Sequence, residues 1–190
     1  MTRRAVPQRI DWAVRTVAAT GAREVLEVGC GRGVAVRLLC GLLPDVRVTA
    51  LDRSPAMTDA ARRANEDLVA AGRLELRTAS LADVDLGRSR FDAVFAVDVN
   101  VFWVGAARAE LDAVRDLLSP GGGLHLFHEP PPGQAPERVR EGLRRHLALA
   151  RFAVEDLTPP PGAGALLGVR ARPVGPEHRA PAQAVLERHP

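Results

Sequence analysis

Val25-Leu-Glu-Val-Gly-Cys-Gly-Arg-Gly33 joins a short apolar run directly to a helical pattern, and its reading decides the fold. Residues 24–28 are apolar enough for a buried strand, and residues 34–43 carry the periodicity of a helix that Pro44 closes. Glycines between them let the chain turn sharply and let a ligand approach backbone that a Cβ would block. The spacing is Gly-x-Gly-x-Gly, not the Gly-x-Gly-x-x-Gly of dinucleotide binders. Glu27 stands two positions before the first glycine. A carboxylate there sits badly beside a pyrophosphate, but it can accept hydrogen bonds from an ammonium group.

Working outward, residues 46–51 alternate as a second strand that ends on Asp52, where a carboxylate can take both hydroxyls of a ribose. Arg53 beside it could cover a flat ring. Ser54-Pro55 predicts a helix start, serine as N-cap and proline in the first turn, with the helix covering residues 56–71 to a stop at Gly72. A third strand is expected at 74–78, and 80–90 is short and irregular. Residues 91–97 form a continuous apolar run, as in a central strand buried on both faces. A helix follows at 106–118, a Ser-Pro-Gly-Gly-Gly break at 119–123, and a fifth strand at 124–127. An opening amphipathic helix at 8–19, a helix at 136–150 and strands at 152–157 and 165–170 complete the pattern. The repeated alternation predicts an α/β, doubly wound sheet of seven strands with helices on both faces. The loop at 158–164 is too short for a parallel crossover, so the seventh strand is antiparallel. Residues 1–171 are read as one domain and 172–190 as a Pro-rich tail.

The bulk numbers narrow the function. With 190 residues, 46% hydrophobic and 26% charged, the chain can bury a substantial core. No apolar run reaches the roughly 20 residues that cross a bilayer. The N-terminus lacks the apolar core of a secretory signal, and Cys30 and Cys40 are the only cysteines, which together predict a cytoplasmic protein. The net charge is +3, but the arginines are scattered, lysine is absent, and nucleic acid is not expected as the partner.

Val25 to Ala35 resembles the first motif of class I S-adenosylmethionine-dependent methyltransferases. Leu51-Asp-Arg-Ser-Pro-Ala-Met57 resembles their second motif, and Arg115-Asp-Leu-Leu-Ser-Pro-Gly-Gly-Gly123 the segment before their fifth strand. The resemblance runs from about Arg9 to Glu129. It implies a Rossmann-like fold and S-adenosylmethionine as cofactor, with S-adenosylhomocysteine as product. Glu27, Gly29 and Gly31 would hold the methionine part, with Cys30 and Gly33 of the same loop also cofactor-binding. Asp52, Arg53 and Met57 would serve the nucleoside, with Ser80 and Leu81 at the adenine. The family often places Gly-Asp where this chain has Thr78-Ala79-Ser80-Leu81, so no carboxylate stands at the adenine position, and either backbone groups of Ser80 and Leu81 or the carboxylate of Asp83 would replace it.

Ligands of open α/β sheets sit beyond the carboxyl ends of the strands. Strand four ends Val97-Asp-Val-Asn-Val-Phe-Trp103 and strand five ends Leu126-Phe-His-Glu-Pro-Pro131. Methyl transfer needs alignment, and a base only where the nucleophile carries a proton of high pKa. His128 is the candidate base, Asp98 and Asn100 candidate orienting groups, and Asp98 a candidate neighbour of the cofactor sulfur. Phe102 and Trp103 would form either a substrate wall or core packing. The acceptor expected is a small molecule at oxygen or nitrogen, and a homodimer partner could supply a cap. An RNA methyltransferase, a non-methylating cofactor binder and a nicotinamide enzyme are the alternatives.

Overall fold

The computed structural model describes residues 5–105 and 107–175. Seven strands form one sheet: β1 (Glu24–Val28), β2 (Arg47–Asp52), β3 (Leu74–Thr78), β4 (Phe91–Val97), β5 (Leu118–His128), β6 (Phe152–Leu157) and β7 (Leu167–Pro173), in the order β3-β2-β1-β4-β5-β7-β6. The first five run parallel, and β7 lies antiparallel to both β5 and β6. Helices α1 (Gln8–Ala18), α2 (Val34–Leu42), α3 (Pro55–Ala64) and α4 (Glu66–Ala70) cover one face; α5 (Arg108–Leu117) and α6 (Pro136–Leu149) cover the other. The doubly wound architecture and the antiparallel seventh strand are as the sequence predicts.

Alternation along the strands fills both layers. In β1, Val25 faces the α1–α2 layer and Leu26 and Val28 the α5–α6 layer. Trp12 packs edge-on against Phe127 at 5.1 Å, and a Cβ at Gly168 would lie 2.8 Å from the tryptophan ring. The glycine therefore makes room for the contact that fixes α1 over β5.

Several details differ from the sequence reading. The helix expected through 56–71 breaks at Asn65, whose buried side chain donates to the carbonyls of Gly33 and Ala61. Ser54 occupies the N-cap position, but its side chain makes no capping bond; its backbone N–H donates to Asp52 Oδ1 instead. β5 continues through Ser-Pro-Gly-Gly-Gly because a bulge between Phe91 and Ala93 absorbs the extra residues. β7 starts two residues later than expected and runs to Pro173. Residues 176–190, most of the expected tail, lie outside the described residues.

Candidate active site

The turn after β1 and the end of β2 are built as one unit. The N–H groups of Gly29 and Cys30 both donate to the carbonyl of Leu51, at 2.8 and 2.9 Å. The Asp52 carboxylate accepts from Gly31 N–H and Ser54 N–H, each at 2.9 Å. Gly29, Gly31 and Gly33 all have left-handed backbone, with φ of 75°, 52° and 74°. At Gly29 a Cβ would come within 2.5 Å of Val99, whereas at Gly31 it would meet nothing within 4 Å. The first glycine thus lets two loops touch, and the second leaves open space beside bare backbone.

Glu27 is the electrostatic anomaly of this unit. It is 3% exposed, and its Oε2 has no hydrogen-bond partner. Burial first, and then the nearby Asp52 charge, push its pKa up to about 8. An orphaned buried carboxyl is expensive unless something satisfies it. The Cys30 thiol is raised to about 12 by burial and by Glu27 and Asp52, so it stays a neutral thiol at neutral pH.

A cavity of about 380 Å³ opens beyond this turn. Gly29, Asp52 and Arg53 line one side, Ala79, Ser80 and Leu81 a second, and Asp98, Asn100 and Glu110 a third. The expected residues Asp52, Arg53, Ser80, Leu81 and Asp98 are therefore brought together. Glu27, Cys30, Gly31, Gly33 and Met57 do not line the cavity itself. Gly33 is instead packed under α3 and Asn65, and Met57 sits half-buried in the first turn of α3.

Asp98 also lines a neighbouring cavity of about 500 Å³, with Arg9, Glu129, Pro130–Pro132, Gln134 and Ala165. Its φ is +56°, a left-handed conformation that aspartate tolerates better than most residues. Asp98 Oδ1 accepts the Glu129 N–H at 2.8 Å, and Oδ2 lies 2.6 Å from Arg9 Nε. A second nitrogen of Arg9 reaches Glu129 at 2.8 Å. Arg9 and Glu129 were not singled out from the sequence as site residues. Glu129's place at the end of β5 was a signal for one; nothing local signals that α1 delivers Arg9.

Of the remaining expectations, Asn100 lines the smaller cavity with Asp98, whereas His128, Phe102 and Trp103 are placed differently. His128 is buried, lines neither cavity, and is pushed down to about 4 by burial. Asn100 begins a 3-10 turn (Asn100–Phe102) and accepts from the Trp103 indole at 3.3 Å. Phe102 is fully buried core, and Trp103 packs against Gly142 of α6, so both are packing rather than a free substrate wall.

Residues 25–122 match the model of the methyltransferase-domain family. The chain belongs to that family. It is 33% identical over 110 residues to a trans-aconitate 2-methyltransferase of Paracidovorax citrulli, covering 58% of this chain and 40% of that one. An O-methyltransferase of Pyrenophora dematioidea is 28% identical over 104 residues, or 55% and 38% of the two chains. The chain spans 40% or less of the length of the curated relatives it matches. In fold, it resembles the magnesium protoporphyrin IX methyltransferase of Synechocystis PCC 6803 solved with bound S-adenosylmethionine. That match has a TM-score of 0.66 at 20% identity, covering 88% of this chain and 79% of the other. Among the described residues no helix is long and apolar enough to cross a membrane, and no group of three or more potential ligands could hold a metal ion.

Proposed function

We propose that this chain binds S-adenosylmethionine in the cleft between Asp52 and Asp98 and transfers its methyl group to an oxygen or nitrogen of a small molecule. The observation that carries the reading is the buried, unpartnered Glu27 carboxyl beside a glycine loop already pinned to Asp52. A cationic amino group satisfies such a carboxyl, and open space at Gly31 gives backbone access. Glu27 and the loop would hold the methionine end, Asp52 the ribose hydroxyls, and Ser80 and Leu81 the adenine edge. Family membership and the cofactor-bound relative of the same fold support the assignment.

When bound, the cofactor supplies an activated methyl on a sulfonium. The chain's own work is then to position the acceptor and keep water out. Asp98 borders both cavities, so an acceptor in the larger one would approach the cofactor past this residue. Arg9 fixes Asp98 and one oxygen of Glu129, leaving Oε1 of Glu129 without a protein partner among the described residues. That oxygen can accept an O–H or N–H from the acceptor and orient its lone pair. The prolines after Glu129 supply an apolar wall.

This assigns to Glu129 the proton-accepting place that the sequence suggested for His128. Assays with methyl-labelled cofactor and an acceptor panel test it. Glu129→Gln is expected to lower kcat/KM by about tenfold or more, while His128→Gln changes turnover less. The reverse order would return the role to His128. Absence of transfer to any acceptor despite cofactor binding would favour a non-methylating cofactor binder.

A further inference from the structure

At the opposite end of the sheet lies a cavity of about 750 Å³, larger than either of those above. It sits at the amino ends of the parallel strands, between the turn after α1 and the glycine-rich start of β5. Its floor is the α1 face of the sheet beyond the reach of Trp12, where Gly123 and His125 leave the surface low. Arg170 stands directly across the strand pair from His125, and Arg172 lies two residues further along the same face of β7. Arg15, from the last turn of α1, completes a rim of three guanidinium groups.

His125 is the feature that ordinary packing leaves unexplained. It is 2% exposed, and neither ring nitrogen has a well-formed hydrogen bond, although the backbone at Gly123 and Val94 is close enough to favour its charged form. Buried polar atoms without partners are uncommon and point to a missing water, ion or ligand. The arginines are only loosely committed. Arg15 pairs with exposed Asp11 at 2.8 Å, Arg170 with exposed Glu155 at 2.5 Å, and Arg172 has no ion-pair partner among the described residues. Such exposed pairs contribute little and yield readily to a stronger anion. Asp92 is the one carboxylate in the lining, and its Oδ2 already accepts from the N–H groups of Arg23 and Glu24.

We propose that this cavity is a second ligand site, which takes a phosphorylated small molecule carrying at least two phosphate charges. Guanidinium groups present paired donors matched to phosphate oxygens, and His125, whose ring nitrogens are covered by neighbouring atoms, adds an N–H donor when its ring shifts toward the floor. The volume is that of a nucleotide-sized ligand. Burial, and then the charge of Arg170, push the His125 pKa down to about 4, against an opposing pull from the Gly123 backbone. An anion seated among the arginines would offset the Arg170 charge. The site is separate from the cofactor cleft and does not depend on that assignment.

Titration calorimetry on the full chain at low salt, with pyrophosphate as the probe, tests this. Saturable binding is expected, weakened about tenfold or more by Arg172→Glu. Arg108→Glu, an exposed change outside the cavity, should leave it unaltered. S-adenosylhomocysteine affinity should be the same in Arg172→Glu and the parent. His125→Phe should weaken pyrophosphate too, and the arginine variant decides the matter if that protein does not fold. Inorganic phosphate binding as well as pyrophosphate would overturn the requirement for two phosphates. No saturable heat at millimolar pyrophosphate, or equal loss in Arg108→Glu, would overturn the site. Binding of single-stranded RNA without binding of pyrophosphate would overturn it in favour of a nucleic-acid surface.

Discussion

The two ends of one sheet carry opposite chemistry. At the carboxyl ends of the parallel strands the cavities are bordered by carboxylates, Asp52, Asp98, Glu110 and Glu129, with Glu27 buried beneath. At the amino ends the large cavity is rimmed by Arg15, Arg170 and Arg172 over a buried imidazole. Both ends therefore hold an unsatisfied buried titratable group, Glu27 at one and His125 at the other. Each is shifted toward its neutral form, upward for the acid and downward for the base, as burial requires. A neutral carboxyl awaits a cation and a neutral imidazole can donate to an anion. The overall charge of +3 says little about either site, because it averages two poles that differ in sign.

Substitutions at the acidic pole should break the comparison most strongly. Asp52→Ala removes both the proposed ribose partner and the acceptor that ties Gly31 and Ser54 together. S-adenosylhomocysteine affinity should fall about a hundredfold or more by calorimetry, since charge-assisted bonds and loop order go together. Pyrophosphate binding at the other pole should be untouched.

Glu27→Gln sharpens the contrast through stability. The folded pKa of Glu27, about 8, lies above its ordinary value of 4.5. The native state therefore keeps a proton that the unfolded chain has released, and stability declines as pH rises from 4.5 toward 8. Glu27→Gln removes this slope and should raise Tm at pH 8 by roughly 10 °C in the cofactor-free protein. An unchanged Tm across that range would mean that Glu27 is ionised and already satisfied.

Gly33→Ala should give the smallest effect, about 1 kcal/mol or more of stability in denaturant unfolding. Its φ is +74°, and a Cβ would lie 2.6 Å from Asn65 Nδ2 and 3.1 Å from Ala61 Cβ. Because Asn65 holds the break between α3 and α4, the strain should loosen the acidic pole and leave the basic one intact.

Much of the acidic pole was legible in the sequence because its parts are local. The glycine spacing, Glu27 before it and Asp52 at a strand end are all set by neighbouring residues, and the bounds of β1, β3, β4 and β6 follow from apolar runs with clear punctuation. Contacts distant in sequence were not legible. Arg9 reaches Asp98 and Glu129 only because α1 is seated by Trp12 on Phe127. Helical periodicity runs straight through Asn65, so the break appears only with its bonds to Gly33 and Ala61. The glycines of 121–123 read as a turn, yet they carry β5 past a bulge and open the basic cavity. His125 falls mid-strand in the sequence, and only the register of β7 sets arginines beside it.

The most direct measurement is calorimetric binding of S-adenosylhomocysteine to the unaltered protein between pH 6 and pH 8. If Glu27 receives the ligand's ammonium group, binding must ionise a carboxyl whose pKa stands near 8 in the free protein. Affinity should then strengthen across that range, with proton release on binding visible as a dependence on buffer ionisation heat. Absence of binding, or binding with neither pH dependence nor proton release, would contradict the account.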